Sequence, residues 1–298
     1  MPDPVSERHV AAVEFVRDAC RFAHEAFLRQ EFRVDFKDDA SPVTKVDRRA
    51  ERLLRDAIEA EFPGDRILGE EFGESGPAGG HADTGYQWVL DPIDGTRPFI
   101  HGVAAWGTLA GVLRAGHGGP PQPVVGVCGL PVGGRVELYH GKHVETPDAG
   151  RPYVGGVFGD QMAAARSLPP DRPRADSLSE ATVLYTQLDL FDTPPLRALL
   201  DALVAKCRLV RGWGDCFGHM AVADGRADLM IDPKMNLWDA AALLPIVEAS
   251  GAQFRTLGGE CRVDGGSAVS VSPAVAEEFF SLVTRVGLVV NAATTEPV

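Results

Sequence analysis

The sequence predicts a mixed α/β protein whose two halves differ in character: an α+β half over residues 1–150 and an α/β half over residues 151–298. Two helical patterns begin the chain, and several short β patterns joined by Gly/Pro turns follow them. Beyond residue 180 strand and helix patterns alternate, which is typical of an α/β arrangement. The turn-rich stretch 141–180 is the predicted boundary between the halves.

The N-terminal half begins with two predicted helices. Apolar residues at helical spacing predict one helix over residues 6–32 and a second over residues 47–62, with Asp47 as its N-cap. A short strand over residues 66–69 runs into two glutamates, and the Gly-, Ser- and Pro-rich stretch 73–85 is predicted to be a mobile loop.

A buried strand is predicted next, over residues 87–90. We expect it to end at Asp91, because Pro92 has no N–H to donate to a sheet. Alternating apolar residues between turn signals then predict antiparallel strands over residues 105–114, 123–130 and 134–139.

The C-terminal half is predicted to alternate between strands and helices. The apolar patterns indicate strands over residues 181–186, 208–211 and 227–231, and helices over residues 194–206, 215–224 and 238–250.

Composition excludes several classes of protein. The 298 residues carry 42 acidic and 29 basic side chains, a net charge of −13, which argues against nucleic-acid binding. The five cysteines are widely spaced and form no CxxC motif, so neither a disulfide framework nor a structural zinc site is indicated. No apolar stretch is long enough to span a membrane and no secretory signal is visible, so we expect a cytoplasmic protein.

The segment Trp88–Thr96 (WVLDPIDGT) carries the sharpest chemical signal. Asp91 and Asp94 lie on one tight turn, so that both carboxylates can point into the same space. The main-chain N–H groups of Gly95 and Thr96 open the next segment, as at a helix N-terminus suited to phosphate. Carboxylates beside bound phosphate require a cation, and Mg²⁺ prefers such oxygen ligands. The alternative is that these are ordinary turn residues.

Three further acidic sites accompany this segment. Glu70 and Glu71 follow a short strand, Asp239 lies at the start of an apolar helix, and Asp47 lies at the start of another. Taken singly, each is equally well explained as a solvated turn acid or a helix N-cap.

Together these segments resemble the inositol monophosphatase family of metal-dependent phosphomonoesterases, over residues 10–285 and in the same order. The resemblance implies a layered αβαβα fold with the metal site in the cleft between the halves, and a homodimer. The segments that carry it are Lys37 with Ser41–Asp47, Gly69–Glu71, Trp88–Thr96 and Trp238 with Asp239.

The resemblance also implies a ligand set for two Mg²⁺ ions. Glu70, Asp91 and the main-chain oxygen of Ile93 would hold the first ion. Asp91, Asp94 and Asp239 would hold the second, and a third, weaker ion would lie near Glu70. Two such ions can activate water and stabilise the leaving oxygen of a phosphate ester.

Catalytic and phosphate-binding roles carry over in the same way. The N–H groups of Gly95 and Thr96 would bind phosphate. Glu70, and the Thr96 hydroxyl paired with Asp47, would position or deprotonate the attacking water. The expected reaction is direct in-line attack without a phospho-enzyme.

The substrate is less sharply indicated than the reaction. Trp106–Leu109 and Gly212–Phe217 resemble the histidinol-phosphatase branch of the family. Within the second segment, Asp215 could accept a charge-assisted hydrogen bond from the ammonium or imidazole of histidinol phosphate. Asp232 matches the position of a substrate-contacting acid, and Arg97 would shape the mouth of the pocket.

Other interpretations stay open at this point. Asp215 could be a helix N-cap, Asp232 a turn acid and Arg97 a surface residue. Trp106 and Trp213 are interpreted as core residues rather than as groups that stack on substrate. The alternative enzyme is an inositol-1-phosphatase or a broader sugar phosphatase. The rival from another class is a non-catalytic relative that binds metal or ligand.

Overall fold

The protein is described by a computed structural model that covers residues 3–30, 32–37, 42–77, 83–116, 120–144, 153–158, 165–166 and 174–288. Part of the predicted loop 73–85, most of the stretch 145–173 and Ser41 therefore lie outside the described residues.

Two helices precede the first large sheet, as predicted. Helix α1 (Pro4–Arg29) begins at Asp3, whose carboxylate accepts hydrogen bonds from the N–H groups of Val5 and Ser6. Helix α2 (Lys45–Glu61) has Thr44 as its N-cap, so the prediction that Asp47 caps this helix is wrong. Asp47 lies at the third helical position and accepts from the Thr44 N–H at 2.9 Å, which closes a capping box.

An eight-stranded sheet dominates the N-terminal half, beside a small hairpin. The hairpin pairs β1 (Val34–Phe36) with β2 (Pro42–Thr44). The large sheet has the order β10-β9-β8-β7-β6-β5-β3-β4 and is antiparallel except for the parallel pair β3 and β5. Its strands are β3 (Arg66–Gly69), β4 (Gly73–Ser75), β5 (Tyr86–Asp94), β6 (Gly107–Arg114), β7 (Gln122–Val132), β8 (Arg135–His143), β9 (Tyr153–Phe158) and β10 (Ala165–Arg166).

Strand β5 does not end at Asp91, contrary to the prediction. It continues through Pro92 to Asp94, but its pairing with β6 is irregular between Asp91 and Asp94. Pro92, which cannot donate to the ladder, lies inside this irregularity, and its carbonyl accepts a 2.9 Å hydrogen bond from the Thr108 hydroxyl. The strand thereby carries both aspartates to the edge of the site before the short helix α3 (Thr96–Ile100) begins.

The C-terminal half forms a five-stranded sheet of order β12-β11-β13-β15-β14. The predicted alternation is confirmed for β11, β12 and β13, which are parallel, whereas β14 and β15 are antiparallel and, like α8, were not predicted. The elements are β11 (Thr182–Tyr185), α4 (Pro194–Lys206), β12 (Leu209–Arg211), α5 (Asp215–Ala223), β13 (Leu229–Asp232), α6 (Leu237–Ala240), α7 (Leu243–Ser250), β14 (Gln253–Arg255), β15 (Ala268–Val271) and α8 (Pro273–Arg285).

The single helix predicted over residues 238–250 is split into α6 and α7. Pro245 has no N–H to donate to the carbonyl of Ala241, so the helical ladder is interrupted there. The break lets α6 and α7 contact different parts of the large sheet, α6 near β5 and α7 near β7, β8 and β9.

The elements stack in five layers, which confirms the αβαβα arrangement. Helices α1 and α2 pack on one face of the large sheet through a core that includes Val16, Leu54 and Trp88. Helices α5 and α7 fill the space between the two sheets, and α4 and α8 cover the outer face of the second sheet. The large sheet continues to Arg166, past residue 150, and the division of the chain at that residue stays a prediction.

The layers approach closely where strand glycines face helix α7. A Cβ added to Gly126 of β7 would lie 2.0 Å from the carbonyl oxygen of Ala242, and one added to Gly141 of β8 would lie 2.0 Å from that of Pro245. Only a residue without a side chain permits this distance between sheet and helix backbone.

We therefore expect Gly126→Ala to destabilise the protein by about 2 kcal/mol or more, because the helix or strand backbone must shift. Urea unfolding at an unchanged m-value would measure the loss. Gly156→Ala is the matched control in the same sheet, since its Cβ would meet the nearest atom at an ordinary 3.5 Å. Equal losses in the two variants would contradict the steric explanation.

Candidate metal-binding active site

Three carboxylates from both halves converge at the end of β5. Oxygens of Asp91, Asp94 and Asp239 all lie within 4.8 Å of one another. The Ile93 N–H donates to Asp91 Oδ1 at 3.1 Å. Asp239, at the third position of α6, accepts from the main-chain N–H of Asn236 at 2.7 Å. The fold thus holds three acidic groups at a spacing that one cation can bridge.

The electrostatics of this trio favour a bound cation. Burial raises the pKa of Asp91 well above its usual value, and the nearby Glu70, Asp94 and Asp239 raise it further. Burial and the charges of Asp215 and Asp239 likewise raise the pKa of Asp94. Burial raises the pKa of Asp239 to about 6. These hard oxygen donors cannot all be ionised at neutral pH at low cost, and a divalent ion such as Mg²⁺ fits them by charge and by ligand type.

Glu70 lies beside the trio but has a different immediate partner. Its main-chain N–H donates to the carbonyl of Leu90 at 3.1 Å, which places it against β5. Its carboxylate lies 2.7 Å from Lys37 Nζ, which also lies 2.7 Å from Glu71. Burial raises the pKa of Glu71 to about 7 although Lys37 opposes this. Glu70 lines the same cleft as the trio.

The predicted phosphate-binding turn follows β5 directly. Gly95 precedes α3 with φ of 87°, and a Cβ there would lie 2.9 Å from the carbonyl oxygen of Ala105, so glycine is required. The Thr96 hydroxyl lies 3.1 Å from the Ile93 carbonyl oxygen and 3.3 Å from Asp47 Oδ1. Burial raises the pKa of Asp47, partly offset by hydrogen bonds from Thr44. With one proton, the Thr96 hydroxyl donates to one of these two oxygens at a time.

The second half contributes two more acids to the cleft. Asp215 is the first residue of α5, after Gly214 as N-cap, and has φ of 54°. Its N–H donates to Thr186 Oγ at 2.9 Å, which holds this left-handed backbone in place. Burial, with the charges of Asp232 and Asp239, raises the pKa of Asp215 to about 7, and Arg97 opposes the shift. The alternative reading of Asp215 as a helix N-cap is therefore wrong.

The remaining predicted substrate residues also line this cleft, whose volume is about 640 Å³. Asp232 ends β13, is 4% exposed and lies on the cleft wall, whereas Arg97 is exposed at its mouth. Trp106 is buried as predicted, but Trp213 is 50% exposed and lines the cleft, so its interpretation as a core residue is wrong. Its position between Gly212 and Gly214 was the available signal, since such a loop is seldom a core segment.

Comparison with known proteins identifies the family. A sequence profile described as the inositol monophosphatase family matches residues 5–288. The chain belongs to this family. A histidinol-phosphatase of Chlorobaculum parvum is 36% identical over 273 residues, covering 91% of this chain and 95% of the relative. A histidinol-phosphatase of Mycobacterium tuberculosis is 32% identical over 251 residues, covering 83% and 86%.

A solved structure supports the same assignment. The structure of an inositol monophosphatase from Zymomonas mobilis matches with a TM-score of 0.71 at 29% identity, covering 95% of this chain and 100% of that one. Within the described part of this family member, no helix has both the length and the apolar character needed to cross a bilayer.

The raised pKa values make metal stabilisation depend on pH. Without metal, the folded state holds protons that the unfolded carboxylates release near pH 4, so stability falls as pH rises through the folded values of about 6 for Asp239 and about 7 for Asp215. Mg²⁺ held by the trio would take the place of the protons on its ligands. We expect the Mg²⁺-induced rise in Tm over EDTA to be larger at about pH 8 than at about pH 5.

Differential scanning fluorimetry with Mg²⁺ and with EDTA would measure this rise. Asp239→Asn is the matched variant, because it removes one charge of the trio and should shrink the Mg²⁺ effect at the higher pH. A rise in Tm that is the same at both pH values would contradict the assignment of the trio to the cation.

Proposed function

We propose that this chain is a Mg²⁺-dependent phosphomonoesterase that hydrolyses L-histidinol phosphate to L-histidinol and phosphate. The observation that carries the proposal is the pairing, in one cleft, of a carboxylate trio with a second acid pair, Asp215 and Asp232. The trio suits the chemistry of phosphate esters in this family. The pair suits a cationic group on the rest of the substrate.

The metal ligands follow from the arrangement of the cleft. Asp91, Asp94 and Asp239 would hold one Mg²⁺ ion, and Glu70, Asp91 and the Ile93 carbonyl oxygen another, with a third, weaker ion near Glu70. When bound, these ions would activate the attacking water and neutralise charge on the phosphate and leaving oxygen.

The protein's own groups would orient the reactants. The N–H groups of Gly95 and Thr96 would bind phosphate oxygens. The Thr96 hydroxyl, within reach of Asp47, would accept or donate a hydrogen bond to the attacking water, and Glu70 would orient it from the other side. The buried Cys216 thiol, whose pKa burial raises well above its usual value, is unsuited to act as a nucleophile, in keeping with direct attack by water.

Substrate choice would come from the second half of the cleft. Asp215 and Asp232 would accept the ammonium of histidinol phosphate, and Arg97 at the mouth would shape the entrance. Trp213 offers an exposed aromatic face for the imidazole. The names of the two bacterial relatives support this substrate over others used by the family.

Two alternative functions can each be compared with a specific observation. The family name and the solved Zymomonas mobilis relative favour an inositol-1-phosphatase or broader sugar phosphatase. A non-catalytic, metal-binding relative would be expected to lack at least one of the metal-binding and catalytic residues, yet all are present: Asp47, Glu70, Asp91, Asp94, Thr96 and Asp239. A cytoplasmic location and a homodimer also belong to the proposal, and light scattering at micromolar concentration would test the dimer.

Phosphate release from L-histidinol phosphate and from inositol 1-phosphate, with Mg²⁺ and then with excess EDTA, tests the proposed function. We expect EDTA-sensitive hydrolysis with a higher kcat/KM for histidinol phosphate. Asp94→Asn should abolish turnover with the fold retained, as circular dichroism would show, because a metal ligand is removed. Preference for inositol 1-phosphate would support the first alternative, and no Mg²⁺-dependent release from either ester would contradict the proposal.

A second variant addresses the amine. Asp215→Asn keeps the shape of the side chain but removes its charge, so the preference for histidinol phosphate over inositol 1-phosphate, as a ratio of kcat/KM values, should fall by about tenfold or more. The control is Asp189→Asn. Asp189 lies in the short helical segment Leu188–Leu190 beside the cleft, but it is not one of the residues that line the cleft. An unchanged ratio in Asp215→Asn would remove this residue from substrate recognition.

A further inference from the structure

His219 is a fully buried histidine whose two ring nitrogens both have partners. The side chain has 0% exposure. Its Nε2 lies 3.1 Å from Asp232 Oδ2, and its Nδ1 lies 2.7 Å from Ser270 Oγ. A buried imidazole costs free energy unless its polar atoms are bonded, and these two contacts provide that compensation.

The backbone brings these groups together. Asp215 and His219 are four residues apart on α5 and therefore lie on the same face of this helix. In the adjacent sheet β13 pairs with β15 so that Met230 opposes Ser270 and Asp232 opposes Ala268. Asp232 and Ser270 consequently lie on the same face of the sheet, the face that α5 covers.

The hydrogen bonds restrict the Asp232 carboxylate. When ionised it can only accept, so the His219 Nε2 carries the proton and donates to Oδ2. Ser270 holds the opposite side of the ring and prevents it from turning away. One oxygen of Asp232, Oδ2, contacts His219, and Asp232 itself lies on the wall of the cleft.

We propose that His219 is a positioning residue for substrate selection, which orients Asp232 so that Asp215 and Asp232 act together as the acceptor for a primary ammonium on the phosphate ester. This inference rests on the proposed function and deepens it. His219 does not touch the substrate. It determines which way the second acid of the pair faces.

The geometry explains why a histidine, and not an apolar residue, occupies this place. An apolar side chain would fill the space between α5 and the sheet without the cost of burying an imidazole. It would leave Asp232, only 4% exposed, without this hydrogen-bond donor and free to turn towards another partner. That change would weaken Asp215 and Asp232 as a joint acceptor for a cation.

The test uses the Mg²⁺-loaded full chain and two phosphate esters. One is L-histidinol phosphate, and the other is 3-(imidazol-4-yl)propyl phosphate, which differs from it only in lacking the ammonium group. His219→Leu should raise KM for the amine ester about tenfold, with a much smaller change in kcat and in KM for the ester without the amine. His219→Gln should restore most of the selectivity, because its amide can donate to Asp232 from a similar position.

Met220→Leu is the matched control, a neighbouring residue of α5 that is equally buried but apolar. It should leave the preference for the amine ester unchanged. Melting temperatures of all variants would separate loss of fold from loss of selectivity.

The outcomes distinguish this inference from the proposed function. Wild-type enzyme with no preference for the amine ester would overturn the proposed substrate and the inference with it. A wild-type preference that His219→Leu leaves intact, or a rise in KM that is equal for both esters and is not restored by His219→Gln, would overturn the role of His219 alone.

Discussion

The close packing of three carboxylates at the end of β5 is the constraint on which the rest of the structure depends. Two like charges about 4 Å apart repel by about 4 kcal/mol at an effective dielectric constant near 20. Asp91, Asp94 and Asp239 nevertheless converge. The surrounding fold must therefore hold them by other means, through main-chain N–H donors such as Ile93 and Asn236 and through rigid packing.

The trio is complete only when both halves of the chain are packed together. Asp94 comes from the large sheet, yet it accepts a hydrogen bond from the N–H of Cys216 at the start of α5. Asp239 reaches the trio because the strand glycines let the helices approach, and a Cβ at Gly111 would lie 2.8 Å from Ala241. Site assembly and docking of the halves are thus one event, and a cation bound there stabilises both.

Local sequence signals predict much of the fold and of the candidate site. The features that they miss depend on contacts between residues far apart in the sequence. The sequence predicts the acids at the end of β5 because Asp91, Asp94 and Gly95 lie within one short segment. The extension of β5 past Pro92 depends on its pairing with β6, which no local pattern contains. The sequence pattern predicts the N-cap of α2 three residues too late, at Asp47, because Asp and Thr both cap helices well. Only the hydrogen bonds between Thr44 and Asp47 show which of the two is the N-cap.

The same electrostatics bear on which phosphate ester the cleft would select. A phosphate ester is an anion, so Asp215 and Asp232 add repulsion to a cleft that is already acidic, unless the substrate brings a cation to them. An ester with an ammonium relieves the repulsion between Asp215 and Asp232, whereas an ester without it leaves both carboxylates without a cation. Discrimination would then come chiefly from rejection of the wrong ester. The reason is that a polar group left without its partner costs more free energy than a well-formed hydrogen bond gains. The buried hydrogen bond from His219 to Asp232 is consistent with selection by rejection, since it would keep Asp232 facing the cleft when no substrate is bound.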